Sequence, residues 1–229
     1  MQRQTEANAI VLLSGGLDST TVLYMALEQG LHPLTLAFDY GQRHRVELEA
    51  AAAISRAAGC AAHIPLRVDS NLFRGTALVG DDVAVPTDRA IDDSIPVTYV
   101  PARNILFLAH ALALAESHAI DQIFIGVNAL DYSGYPDCRP EFIEAFETMA
   151  RIGMKTGQAG RPIRIQTPLI RMSKAQIIQE GLRLGIDYGM TRSCYNPDAL
   201  GNPCGKCDSC LLRAKGFAEA GAIDPLVGK

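Results

Sequence analysis

Four short apolar runs punctuate the chain from residue 9 to residue 127: "AIVLL" at 9–13, "LTLAFDY" at 34–40, "HIPLRV" at 63–68 and "QIFIGV" at 122–127. Each has the length of a strand, and the near-continuous apolar character of the first is that of a strand buried on both faces. Between most of them the pattern turns helical, over 20–29, 43–58 and 104–117. Strands alternating with helices predict a parallel sheet with helices on its faces, a doubly wound, Rossmann-like α/β fold. The helix from Asn104 to Ser117 is apolar nearly all round, which predicts either a buried helix or one packed against a second subunit in a homodimer. A later helix is expected to start at Ser173, where "SKAQ" has the Ser-x-x-Gln spacing of a capping box. Segment 80–96, "GDDVAVPTDRAIDDSIP", has five aspartates, two prolines and no helical period, so it is expected to form an exposed, mobile loop.

Composition narrows the function classes. With 229 residues, 48% of them hydrophobic and 20% charged, the chain suits one globular domain over 1–229. A net charge of −4 lacks the basic footprint of a protein that wraps nucleic acid, so small-molecule substrates are expected. "MQRQTEANA" has no apolar core of a secretory signal, and "ILFLAHALALA" at 105–115 falls short of the roughly 18 to 20 residues that span a bilayer. A cytoplasmic protein with no membrane contact is the expectation.

Four of the six cysteines lie in "SCYNPDALGNPCGKCDSC", as Cys194, Cys204, Cys207 and Cys210 at C-x9-C-x2-C-x2-C spacing. Two overlapping C-x2-C turns and a fourth thiolate a short loop away suit a tetrahedral Zn²⁺ of the closed, structural kind, one per chain. An iron–sulfur cluster shares the C-x2-C-x2-C run and is the competing reading, with disulfides a third. Zinc is preferred because a closed site fixes the 190–217 segment without redox chemistry. Cys60 reads as a small buried hydrophobe, and the role of Cys138, in "PDCRPEF", stays open.

The first predicted strand runs into "LLSGGLDSTT", with the strand ending at Ser14 and a helix starting near Asp18 to Thr20. Glycines admit a close ligand, and a helix N-terminus offers free N–H groups and a positive dipole end, so this turn is an anion site. It is not a common nucleotide loop: G-x-x-x-x-G-K-[ST] and G-x-G-x-x-G are both absent. Ser-Gly-Gly-Leu-Asp-Ser after the first strand resembles the pyrophosphate loop of the N-type ATP pyrophosphatases, the adenine nucleotide alpha hydrolase-like group that splits ATP to AMP and pyrophosphate while adenylating a substrate oxygen. The resemblance implies an ATP site over Leu13, Ser14, Gly15, Gly16, Leu17, Asp18, Ser19, Thr20, Thr21, Val22 and Leu23. Ser14, Gly15, Gly16, Asp18, Ser19 and Thr20 would surround the β- and γ-phosphates, with Mg²⁺ as counter-ion. Asp18 has two candidate roles, reaching the metal through water or capping the helix.

"FDYGQRHRVEL" (38–48), "YVPARN" (99–104), "GVNALDYSGYPDCRPEF" (126–142), "TPL" followed by "SK" (167–174) and "SCY" leading into "CGKCDSCLLR" narrow the resemblance further. Together, from about residue 9 to 217, they look like the 7-cyano-7-deazaguanine synthases, ligases that make the nitrile precursor of queuosine. The polar N-terminal extension, the acidic 80–96 segment and the Arg-Met pair in "LIRMSK" depart from that pattern. The resemblance implies 7-carboxy-7-deazaguanine, ammonia and ATP as substrates. A carboxylate becomes a nitrile only when both oxygens leave, so each must be activated: the acid is adenylated and aminated, and then the amide is adenylated and loses AMP.

On that reading Asp18, Ser19 and Lys174 are the catalytic candidates. Asp131, Asp137 and Glu141 are candidates to accept from the guanine-like edge, and Tyr132 and Tyr135 to stack on the heterocycle. Arg103, Arg139 and Lys174 are candidates to clamp phosphate or carboxylate. His44 either lines the site or belongs to a solvated basic helix start. No amidotransferase domain is visible, so ammonia comes free or from a partner. The runner-up is another ATP pyrophosphatase adenylating a tRNA base, disfavoured by the acidic charge; a zinc-ribbon binding module would leave "GVNALDYSGYPDCRPEF" without a role.

Overall fold

The computed structural model describes residues 6–88, 94–129 and 135–227. Strands β1 (Ala9–Leu12), β2 (Pro33–Asp39), β3 (Ala62–Arg67), β4 (Gln122–Phe124) and β5 (Arg164–Gln166) form one parallel sheet in the order β3-β2-β1-β4-β5. The helices are α1 (Leu17–Glu28), α2 (Val46–Ala57), α3 (Arg103–Ser117), α4 (Pro140–Gly153), the single turn α5 (Lys155–Gln158), α6 (Lys174–Arg183) and α7 (Asp208–Glu219).

The period-2 alternation of β1 divides the core. Ile10 and Leu12 face a layer built with α3 and α4, through Leu108, Leu112, Ile143 and Phe146. Ala9, Val11 and Leu13 face the other layer, where Val22, Ile54, Ile177, Ile178 and Phe217 come from α1, α2, α6 and α7. The expected doubly wound architecture is what forms. Its strand order reverses beside β1, so the crevice outside the carboxyl ends of β1 and β4 is where such sheets bind ligands.

Several details differ from expectation. β1 stops at Leu12 and α1 starts at Leu17, because the glycine turn takes more of the chain than the apolar run suggests. β5, α4 and α7 carried no expectation. The α3 helix is one-sided: Leu108, Ala111, Leu112 and Ala115 are buried, whereas Ala109, His110 and Ala113 on the opposite side are exposed. Residues 80–88 are tied at both ends, by the Gln42–Val79 bridge and by the Asp88 amide donating to the Lys206 carbonyl at 2.9 Å, and Val85 packs on the cysteine cluster. This part of the acidic segment is therefore anchored, not free; residues 89–93 of it lie outside the described residues. No helix among the described residues is long and apolar enough to cross a membrane.

Candidate active site

The turn after β1 holds its own shape. Gly15 has φ +85°, and a Cβ there would lie 2.2 Å from the Glu47 carbonyl oxygen, so the turn is seated against the start of α2 as only glycine allows. The Ser14 amide donates to Ser19 Oγ at 3.2 Å, and the Ser19 and Thr20 hydroxyls donate to the Gly16 carbonyl at 3.2 and 2.7 Å. Gly16 is the N-cap of α1 with no side-chain cap, so the free N–H groups of the first turn face the crevice uncapped.

Asp18 does not cap that helix. Its two oxygens accept from Lys174 Nζ at 2.7 and 2.8 Å, across 156 residues of chain. Lys174 is the first residue of α6, where a cation opposes the helix dipole, and the carboxylate of Asp18 compensates it. The expected capping box is present: Ser173 Oγ accepts from the Gln176 amide and the Gln176 side chain returns to the Ser173 amide. Asn128, beyond β4, holds the approach to this helix by donating to the carbonyls of Leu169 (3.1 Å) and Met172 (2.6 Å).

One cavity joins this turn to an aromatic wall. Its lining includes Ser14, Gly16, Asp18, Ser19, Lys174, Arg192 and Arg213 at the polar end, and Phe38, Tyr40, Phe107 and Tyr135 toward the wall. Phe38 and Phe107 stack with centroids 3.9 Å apart. Arg103 lines the cavity, as does Tyr40. Burial would lower its pKa, and the surrounding Tyr40, Cys138, Asp137 and Tyr135 more than offset this, so the guanidinium stays charged. Cys138 also lines the cavity, its thiol pushed up to about 12 chiefly by burial, and it accepts from Asn104 Nδ2 at 3.4 Å. Such a thiol is no nucleophile.

The remaining candidates separate. Tyr135 is buried, with its hydroxyl 2.8 Å from Thr98 Oγ1. Asp137 accepts from the Asn104 amide at 3.1 Å, serving the first turn of α3, and is not among the residues lining the cavity. Arg139 and Glu141 sit exposed where α4 begins and do not line it either. Asp131 and Tyr132 lie outside the described residues. Leu13 and Leu17 line the cavity, whereas Thr21, Val22 and Leu23 are core: Thr21 Oγ1 donates to the Leu17 carbonyl and bonds Tyr188 at 2.8 Å. His44 is 5% exposed and lines the cavity, so it is no solvated helix start.

Arg192 and Arg213 carried no expectation. The Arg192 amide donates to the Gly15 carbonyl at 2.8 Å, joining the cysteine-bearing segment to the turn. Arg213, on α7, pairs with Asp224 at 2.7 and 2.8 Å and donates to Thr191 Oγ1 and the Tyr188 carbonyl. With Arg103 and Lys174 these give the cavity four cations against Asp18 and Glu47, a balance suited to a polyphosphate.

Beyond Arg192 the four cysteine Sγ atoms lie within 4.8 Å of one another, with Cys204 and Cys210 at 4.0 Å. A tetrahedral ion with bonds of about 2.3 Å to sulfur needs edges of about 3.8 Å, so the cluster can hold a metal ion. Amides of Tyr195, Asn196, Cys204, Lys206 and Cys207 donate to the sulfurs at 3.2 to 3.5 Å, as they would to thiolate ligands. The Cys194 and Cys210 thiols, with the Tyr195 amide, pull Cys207 toward the thiolate.

Comparison with known proteins identifies the relatives of this chain. The family model described as queuosine biosynthesis protein QueC matches residues 8–221. A 7-cyano-7-deazaguanine synthase of Kineococcus radiotolerans is 58% identical over 221 residues, 95% of this chain and 96% of its own. One of Hydrogenovibrio crunogenus is 55% identical over 96% of this chain and 94% of its own. Among solved structures, a 4-thiouridine synthetase–RNA complex with bound ATP aligns at a TM-score of 0.50 and 16% identity, covering 94% of this chain and 50% of that one, a likeness of fold. With a family match across nearly its whole length and relatives above half identity, the chain belongs to the QueC family of queuosine biosynthesis proteins.

Proposed function

We propose that the chain is a 7-cyano-7-deazaguanine synthase, converting 7-carboxy-7-deazaguanine and ammonia to the nitrile with ATP cleaved to AMP and pyrophosphate. The observation that supports it most is the continuity of one cavity from the uncapped α1 turn, with Lys174, Arg192 and Arg213, to a wall of Phe38, Tyr40 and Phe107. A polyphosphate at one end and a flat heterocycle against the other bring the α-phosphate and the carboxylate together, and effective concentration supplies much of the rate.

Ser14, Ser19 and the α1 amides hold the β- and γ-phosphates on this reading. Lys174 moves from Asp18 toward the α-phosphate, where positive charge counters what develops at phosphorus. Asp18 would help hold Mg²⁺, which would supply positive charge to the leaving pyrophosphate. Arg103 takes the carboxylate, and Tyr135 with Asp131 or Tyr132 reads the heterocycle edge. Zn²⁺ in Cys194, Cys204, Cys207 and Cys210 fixes segment 190–217, and so Arg192 and Arg213, against the turn. The enzyme works in the cytoplasm on small molecules.

One site acts twice, since two oxygens must leave and a single phosphate loop serves. Incubation with 7-carboxy-7-deazaguanine, ATP and ammonium, followed by mass spectrometry and nucleotide chromatography, should give the nitrile with AMP and pyrophosphate. ADP as the main product overturns the mechanism, and absence of the nitrile overturns the assignment. Synthetic amide with ATP and no ammonium should also give nitrile; failure there removes the second adenylation.

A further inference from the structure

His44 lines the cavity and carries an unfilled hydrogen-bonding atom that is buried in this structure, so a substrate nitrogen reaches it when the wall beside the ring shifts on binding. Its Nδ1 is the one buried side-chain nitrogen or oxygen without a partner among the described residues. The other ring nitrogen, Nε2, lies 3.3 Å from Glu47 Oε2. Glu47 Oε1 accepts from Gln42 Nε2 at 3.0 Å, and that amide is pinned by the Phe38 carbonyl and the Tyr40 amide, each at 2.9 Å. Gln42, His44 and Glu47 are all at least nine-tenths buried. A carboxylate facing Nε2 demands a proton there, which leaves the lone pair of the neutral imidazole on Nδ1. The backbone turn that presents this array is the one Gly15 packs against, so the ring stands beside the phosphate turn.

We propose that His44 is the proton acceptor for the nitrogen that enters the substrate, with Gln42 and Glu47 fixing its tautomer and ring plane. The proposal rests on the synthase reading. Ammonia carries three protons and a nitrile nitrogen none, so three must leave during turnover. In the first round the ammonia lone pair forms the C–N bond at the acyl carbon. The C–O bond to AMP breaks with its electron pair, and an N–H proton passes to Nδ1. In the second, adenylation at the amide oxygen leaves two protons on nitrogen, and the first passes to Nδ1 to give the neutral imidate. The remaining N–H electron pair then becomes the third C–N bond as the C–O bond to AMP breaks with its electron pair. The last proton leaves through Nδ1, the ring releasing each proton to solvent before it accepts the next.

Other described groups lining the cavity are spent or unsuited. Both oxygens of Asp18 hold Lys174 in this structure and would face the nucleotide's Mg²⁺ once Lys174 moves to the α-phosphate, and those of Glu47 hold Gln42 and His44. Tyr135, Tyr40 and Cys138 are held protonated chiefly by burial. Arginine has no lone pair to offer.

The test separates the two chemical steps in the full-length protein. Isotope exchange between pyrophosphate and ATP, with 7-carboxy-7-deazaguanine and no ammonium, reads adenylation; amide formed after ammonium is added reads nitrogen transfer. In His44→Gln, amide formation should fall by about 10²- to 10⁴-fold while exchange stays within about threefold of wild type. His44→Ala should regain part of the lost step with added imidazole, which a merely structural role would not give. Amide formation at the wild-type rate, or equal loss of exchange and amide formation in a variant that still melts cooperatively, overturns the proposal; the second result assigns His44 to the nucleotide. If His44→Gln does not fold, Glu47→Gln carries the same criterion, with loss of amide formation and retained exchange expected. Wild-type protein that shows neither exchange nor amide overturns the synthase reading itself, and with it any nitrogen step for His44.

Discussion

The turn after β1 and the segment 191–213 across the cavity meet at one backbone hydrogen bond, yet they are kept rigid by different means. In the turn, a glycine at positive φ and hydroxyls that bond neighbouring backbone do the work, so its order is local. In the segment, four sulfurs bring together residues up to 16 apart, and the buried Arg213–Asp224 pair ties α7 to the chain beyond it. A loop built from local bonds keeps its geometry whatever happens elsewhere. One built from a cysteine cluster able to hold a metal and a buried ion pair keeps it only while both are intact. The cavity therefore has one intrinsic wall and one conditional wall.

The largest expected effect breaks the conditional wall alone. Cys207→Ser should abolish metal retention in elemental analysis and lower the melting temperature, since structural zinc contributes on the order of 10 kcal/mol in small zinc domains. Full zinc occupancy in the variant, or iron with sulfide in the wild type, contradicts the site as assigned. Asp224→Ala comes next: an unpartnered Arg213 so deeply buried should cost about 3–5 kcal/mol in urea unfolding, with metal content unchanged.

Asp18→Ala addresses the intrinsic wall. It should slow the acid-to-amide and amide-to-nitrile steps by a similar factor of about 10²–10³, measured with acid and with synthetic amide. Impairment of one step only would mean that the two steps do not share the site. The smallest effect is that of Ser173→Ala, which removes the cap of α6 and should cost about 1 kcal/mol in thermal unfolding while leaving the Lys174–Asp18 pair in place.

How far the sequence reveals each wall follows the same division. The turn reads directly, because its causes are consecutive: an apolar strand, Ser-Gly-Gly, then a helix. The cysteines read from spacing, and the capping box from four residues. β5 does not, because it is three residues long with one of them buried, a pattern no longer than chance. Helix α4 does carry its signal, in Ile143, Phe146 and Ala150 at i, i+3 and i+7. Asp18 and Lys174 were legible as candidates, but their pairing across 156 residues belongs to the fold. The same holds for Arg192, brought to the cavity beside Gly15 by a backbone hydrogen bond, and for Arg213, carried there on α7. Asp137, Arg139 and Glu141 show the converse: residue types suited to a purine edge, set by their local chain against the first turn of α3 or at the exposed start of α4.

Strand β1 lies second from neither edge but at the centre of the sheet, paired on both sides and at most 7% exposed at every residue. In the language of hydrogen–deuterium exchange, its amides sit in the last cooperative unit to open, reachable by solvent only through global unfolding. The phosphate turn begins one residue after that unit. Deuterium uptake at Ile10 to Leu12 should then report the stability of the whole molecule, and the root of the turn should be as slow to exchange without nucleotide as with it.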